Sequence, residues 1–161
     1  YAHSGIFGGS APGDARRVQD AARTFGVESL LDTDAAALSE GQRQLIHLCR
    51  VAVQDTPVLL LDEPNSALDF ANTHRLFAVL RRWVRERIKA ALIVLHDPAL
   101  ALRYCDRLLM MQAGRLCGAL HPGDGAPAIQ QALEPLYPGL QVVPGPQQGQ
   151  LFCTMQENCG G

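Results

Sequence analysis

The chain has 161 residues, 47% hydrophobic and 19% charged, with a formal net charge of −2. That is enough for one domain with its own core, and it lacks the basic field of a nucleic-acid-binding protein. No apolar run reaches the length of a membrane-spanning helix, no signal peptide opens the chain, and the first residue is Tyr1 rather than methionine, so the sequence is expected to begin inside a longer protein. Cys49, Cys105, Cys117, Cys153 and Cys159 form no CxxC pair. This odd, scattered set fits reduced thiols better than a disulfide framework.

Residues 1–13 are rich in Gly and Ser and read as a loop. Its GIFGG segment lacks the GxGxxG spacing and no strand precedes it, so it is not read as a phosphate loop. From Asp14, the residues Val18, Ala21, Ala22 and Phe25 recur at helical spacing, and Gly26 is placed to stop the helix. Leu30 and Leu31 mark a short second element. A further helix is expected from Ser39 to about Gln54, with Leu45, Leu48, Cys49 and Ala52 on its apolar face. Ser39 is a natural N-cap, and Gln42 completes a capping box. Such a helix start is either a plain cap or an anion site, because its N–H groups and dipole favour phosphate.

Val58-Leu59-Leu60-Leu61-Asp62-Glu63-Pro64 is a short apolar run ending in two carboxylates, read as a strand buried on both faces. Acids at the carboxyl end of a parallel strand sit where open α/β sheets bind ligands. One can hold a metal ion while the other activates water. The alternative is a buried strand that runs out into a solvated acidic turn. The polar loop Asn65–Asp69 leads to a helix over about 71–88, with Leu76, Val79, Leu80, Trp83 and Val84 as its buried stripe and Arg75, Arg81, Arg82, Arg85, Glu86 and Arg87 on a solvated face. A second buried strand, 91–95, is followed by His96-Asp97, which makes a right-handed βαβ unit with a parallel pair. A short helix over 98–104 and a hairpin of strands 107–112 and 115–120 come next. A loop at 121–125 and a modest helix over 126–136 follow. Beyond Pro138 the Pro, Gly and Gln content predicts a weakly ordered tail with one strand at 151–154.

In order and spacing, residues 38–115 resemble the C-terminal part of the ATPase subunit of ABC transporters. Leu38-Ser39-Glu40-Gly41-Gln42 resembles the signature motif, Val58–Glu63 the Walker B strand, Ser66-Ala67-Leu68-Asp69 the D-loop, and His96 the switch histidine. The segments YAHSGIFG, GQRQ, QDTPVLLLDEP and HDPALALRYCDRLLMMQAGRL are similar to ATPases of bacterial importers for iron–siderophore, haem or cobalamin complexes. The resemblance implies an α/β fold: a partial P-loop NTPase core of RecA type with a mainly parallel sheet, plus part of the ABC helical subdomain. It divides the chain into the end of the helical subdomain (1–54), half of the nucleotide core (55–120) and a weakly ordered extension (121–161).

The implied cofactors are ATP and Mg²⁺. Asp62 would hold Mg²⁺ through water, Glu63 would be the general base and His96 would contact the γ-phosphate. Asp69 would act at the dimer interface, and Ser39, Glu40, Gly41 and Gln42 would bind ATP held by the other subunit. The implied partners are a transmembrane permease, a second ATPase subunit and, indirectly, a substrate-binding protein, at the cytoplasmic face of a bacterial inner membrane. Glu40 departs from the usual LSGGQ and puts a carboxylate near a phosphate site. Asn65 and Arg43-Gln44-Leu45 depart mildly. The Walker A pattern GxxxxGK[ST] does not occur in these residues: Lys89 is the only lysine, and no glycine lies near it. Without that loop the 161 residues alone are expected to neither bind nor hydrolyse ATP, and without the first strands of the parallel sheet, whose neighbours lose cover, they are expected to be marginally stable. The other reading is a non-catalytic partner that supplies the signature helix to a complete ATPase. A DNA-repair ATPase of the same family is disfavoured, because no heptad stretch precedes the signature.

Overall fold

The computed structural model describes residues 13–87 and 89–156. The opening segment 1–12, Ile88 and Cys159 lie outside them. The chain divides into two compact units, residues 1–94 and 95–161.

The first unit begins with helix α1, Asp14–Phe25. Gly26 ends it at φ 69°, a conformation open to glycine at little cost, and the N–H of Val27 reaches back to the Ala22 carbonyl at 2.9 Å. Two single 3-10 turns, Glu28–Leu30 and Ala35–Ala37, lead to helix α2, Glu40–Val53. Strand β1 (Val58–Asp62), helix α3 (Phe70–Glu86) and strand β2 (Ala90–Val94) then form the expected βαβ unit, with β1 and β2 parallel. Ala22, Phe25, Val27, Leu48, Cys49, Leu76, Leu80 and Trp83 make the core together with Leu59 and Leu61 of β1.

Here the structure corrects one expectation. Strand β1 is not buried on both faces: it alternates, with Leu59 and Leu61 inward and Val58, Leu60 and Asp62 exposed. In register with them, Leu92 and Val94 of β2 are exposed on the same face, while Ala91 and Ile93 pack with Leu59 and Leu61 toward the helices. The run of four aliphatics reads as two-sided burial, but among the described residues of this unit the helices cover one side of the pair. Lys89 fastens the pair at its start. Its ammonium donates to the Thr56 carbonyl at 2.6 Å, pairs with Asp55 at 2.9 Å and lies 5.6 Å from the Trp83 ring centre. The turn before β1 and the residue before β2 are thereby held side by side, and the adjacent Ala90 N–H donates to the Pro57 carbonyl at 3.1 Å.

The second unit contains helix α4 (Pro98–Tyr104), strands β3 (Leu108–Gln112) and β4 (Arg115–Leu120), a 3-10 turn at Pro122–Asp124, helix α5 (Ala126–Leu133), and strands β5 (Leu140–Pro144) and β6 (Leu151–Met155). Strands β3 and β4 form the expected antiparallel hairpin. Its two-residue turn places Ala113 and Gly114 at positive φ, which matches the twist of the flanking strands. The tail differs from expectation. Up to residue 156 it has two strands, not one: β5 and β6 pair antiparallel from Leu140↔Met155 to Pro144↔Leu151. Composition hid this, because residues 145–150 between the strands are all Pro, Gly or Gln, and Gln141 and Pro144 lie in β5 itself. Leu140 and Val142 supply the inward side chains against Ile129 and Leu133. Each strand pair is its own two-stranded sheet, so the parallel arrangement is confined to β1–β2 among the described residues.

Candidate functional site

Asp62 is the last residue of β1 and lies on its exposed face. Glu63 follows with its N–H donating to the Val94 carbonyl at 3.2 Å, so the end of β2 holds the turn that carries the acids. Glu63 has φ 42°, a left-handed conformation that costs free energy for a residue with a Cβ. Its carbonyl accepts from the Ser66 N–H at 3.1 Å, which closes the turn. Strained backbone of this kind concentrates where a side chain has to be aimed.

The expected capping box at the start of α2 is present. The Gln42 N–H donates to the Ser39 hydroxyl oxygen at 3.2 Å, and the Ser39 N–H donates to the Gln42 side-chain oxygen at 2.9 Å. Gly41 has a reason to be glycine: a Cβ there would stand 3.1 Å from the Ala67 carbonyl oxygen and 3.2 Å from a Leu68 methyl. The first turn of α2 therefore packs directly on the loop that carries Asp69, so the structure brings these two predicted segments together. Glu40 lies 3.7 Å from Arg43 one turn along the helix, with both side chains largely exposed. This pair offsets part of the carboxylate's charge near the helix start, though an exposed pair is weak.

Asp69 is the N-cap of α3. One carboxylate oxygen accepts from the Asn72 N–H and the other from the Asn72 side-chain amide, both at 2.8 Å. The sequence signal for Asn72 is its three-residue spacing from an acidic cap. His96 belongs to the second unit, two residues beyond the end of β2. Its side chain is exposed, and its carbonyl accepts a hydrogen bond from the Tyr137 hydroxyl at 3.0 Å. Asp97 caps α4 by accepting from the N–H groups of Ala99 and Leu100 at 2.8 and 3.2 Å. Burial raises the pKa of the Tyr137 phenol above its ordinary value, and Asp97 and Cys153 add to the rise. Burial, then Asp97, raises the Cys153 thiol, and burial alone raises Cys49.

Magnesium is bound by oxygen ligands and usually keeps several waters beside one or two carboxylates and substrate phosphates. Among the described residues no group of three or more His, Cys, Asp or Glu stands ready as an all-protein cage. The single exposed Asp62 carboxylate at a strand end fits the first kind of site.

A parallel strand pair crossed by a helix, with adjacent acids at its carboxyl end and a capped helix packed on the following loop, defines part of a P-loop NTPase core. A solved metal-chelate type ABC transporter in an inward-facing conformation shares this fold with a TM-score of 0.75 at 20% identity, over 96% of this chain and 61% of that one. Residues 6–66 match the ABC transporter family. The hemin import ATP-binding protein HmuV of Pseudomonas putida is 40% identical over 135 residues, 81% of this chain and 51% of the relative. HmuV of Hydrogenovibrio crunogenus is 35% identical over 143 residues, 82% of this chain and 54% of the relative. The chain thus spans about half the length of the curated relatives it matches. No helix among the described residues is long and apolar enough to cross a membrane.

Proposed function

We propose that the chain forms part of the ATP-binding and ATP-hydrolysing subunit of an ABC importer, coupling hydrolysis to uptake of haem or a related iron or metal chelate. The observation that carries the reading is the Asp62-Glu63 turn. It combines two acids at the end of a parallel strand, a strained Glu63 and a hydrogen bond from Glu63 to the end of β2. The HmuV proteins, named for hemin import, favour haem among the possible cargoes.

In this reading Asp62 would hold Mg²⁺, which would supply the charge that shields the phosphates of ATP. Glu63 accepts the proton of the attacking water, and such general-base catalysis contributes about 10²- to 10⁴-fold. His96 contacts the γ-phosphate. Ser39, Glu40, Gly41, Gln42 and the N–H groups of the first turn of α2 face the γ-phosphate of ATP held by a second ATPase subunit, where a helix start favours an anion. Asp69 works at that subunit interface, held in place by Asn72. Phosphoryl transfer depends on positioned charge more than on covalent chemistry, and these residues position charge. The partners are the second ATPase subunit, a transmembrane permease and, through it, a substrate-binding protein, with the ATPase peripheral on the cytoplasmic face of a bacterial inner membrane. Residues 1–54 then belong to the helical subdomain, 55–120 to the nucleotide core and 121–161 to a C-terminal extension.

Deletion of the gene in its host tests the reading. Growth with haem as the sole iron source is expected to fail while growth on an iron salt is unchanged. Normal growth on haem would count against haem as cargo.

A further inference from the structure

Tyr137 stands in the turn between α5 and β5, far in sequence from any residue with a proposed role. Its main chain is held on both sides: its N–H donates to the Leu133 carbonyl at 2.9 Å, and its carbonyl accepts from the Leu140 N–H at 3.0 Å. Leu133 and Leu140 are buried in the core of the second unit, so the base from which the phenol projects is firm. The hydroxyl crosses 41 residues of sequence to donate to the His96 carbonyl at 3.0 Å. On the other side of the same peptide, Asp97 is fixed by capping α4, and Pro98 sets the backbone of the helix's first turn. The peptide plane between His96 and Asp97 is therefore held from two directions. Fixing that plane fixes where the His96 Cα lies, and so the point from which its side chain departs.

We infer that Tyr137 is a positioning residue for His96: its hydroxyl holds the His96 backbone in the orientation from which the imidazole meets the γ-phosphate. The inference rests on the role proposed for His96 above. It makes the turn between α5 and β5 part of the turnover machinery although Tyr137 touches neither nucleotide nor metal. A phenol ionises ordinarily near 10.0, and burial raises this one further, so its hydroxyl is a donor in the neutral range.

Tyr137→Phe removes the hydroxyl and keeps the ring in its packing. On the 161-residue chain, amide hydrogen exchange over residues 96–100 is expected to accelerate about two- to tenfold, the loss of one hydrogen bond, while the amides of β5 and β6 keep their rates. Unchanged exchange over 96–100, or an equal rise across the whole second unit, would overturn the inference. In the ATPase of the complete gene product, Tyr137→Phe is expected to lower kcat about tenfold with the KM for ATP within about twofold, since misplacing a contact made in the transition state acts on kcat. Unchanged kcat in Tyr137→Phe, with turnover lost in His96→Ala, would overturn the inference and leave the role of His96 standing. Full turnover in His96→Ala would remove the reading on which it rests.

Discussion

Leu59 and Leu60 are neighbours of identical chemistry on opposite faces of β1, 2% and 74% exposed. Replacing each by alanine separates the packing of the β1–β2 pair from its composition. Truncating a buried leucine costs about 2–5 kcal/mol, the lost transfer free energy plus the cavity left in the core of the first unit. At Leu60 roughly a quarter of the side chain is covered, so by area alone the loss is about 0.5 kcal/mol. At about 2–4 °C per kcal/mol for a chain of this size, Leu59→Ala lowers the melting temperature by roughly 10 °C and Leu60→Ala by about 1–2 °C. Urea unfolding followed by circular dichroism gives the free energies directly, provided that the slope with denaturant is the same for both variants. Comparable losses at the two positions would refute the one-sided packing, because they would mean that the outer face of the pair is covered in solution.

Lys89→Met keeps an unbranched side chain but removes the ammonium that joins Asp55 and Thr56 and lies over the Trp83 ring. It is expected to cost about 1–2 kcal/mol in the same assay, and a neutral substitution would remove the clasp from the account. Stability is also expected to fall at alkaline pH. The folded chain holds the protons of Cys49, Cys153 and Tyr137 more tightly than the unfolded chain does. The unfolded thiols and phenol therefore ionise first, and stability is lost as pH rises past the ordinary values of 9.0 and 10.0. Urea midpoints at pH 8, 9 and 10 check this, and a flat or rising trend would contradict it. The 161 residues alone are expected to show no measurable binding of a fluorescent ATP analogue with Mg²⁺; affinity near about 1 μM, roughly 8 kcal/mol of binding free energy, would contradict that.

Much of the fold was legible because local rules and tertiary packing agree. The Ser39–Gln42 box, the Gly26 stop and the turn at Ala113-Gly114 are each set by a few neighbouring residues, and each formed as their chemistry predicts. The one-sided burial of β1 was not legible, because four consecutive aliphatics carry no alternation to show which face lacks cover. Strand β5 was masked by the Pro and Gly residues at its end and in the following turn, although Leu140 and Val142 have the right spacing for one buried face. The candidate site divides in the same way. Acids, cap and histidine stand in contiguous motifs. The contact of Gly41 with Ala67 and the Tyr137 bond to His96 join segments distant in sequence, and no local pattern announces them.

The central claim is that Glu63 is the base in an ATP-hydrolysing site. It is tested most directly by phosphate release from the purified complete transporter carrying Glu63→Gln. Turnover is expected to fall by about 10²-fold or more while ATP is still bound and retained. Turnover within about twofold of the unsubstituted protein would contradict it.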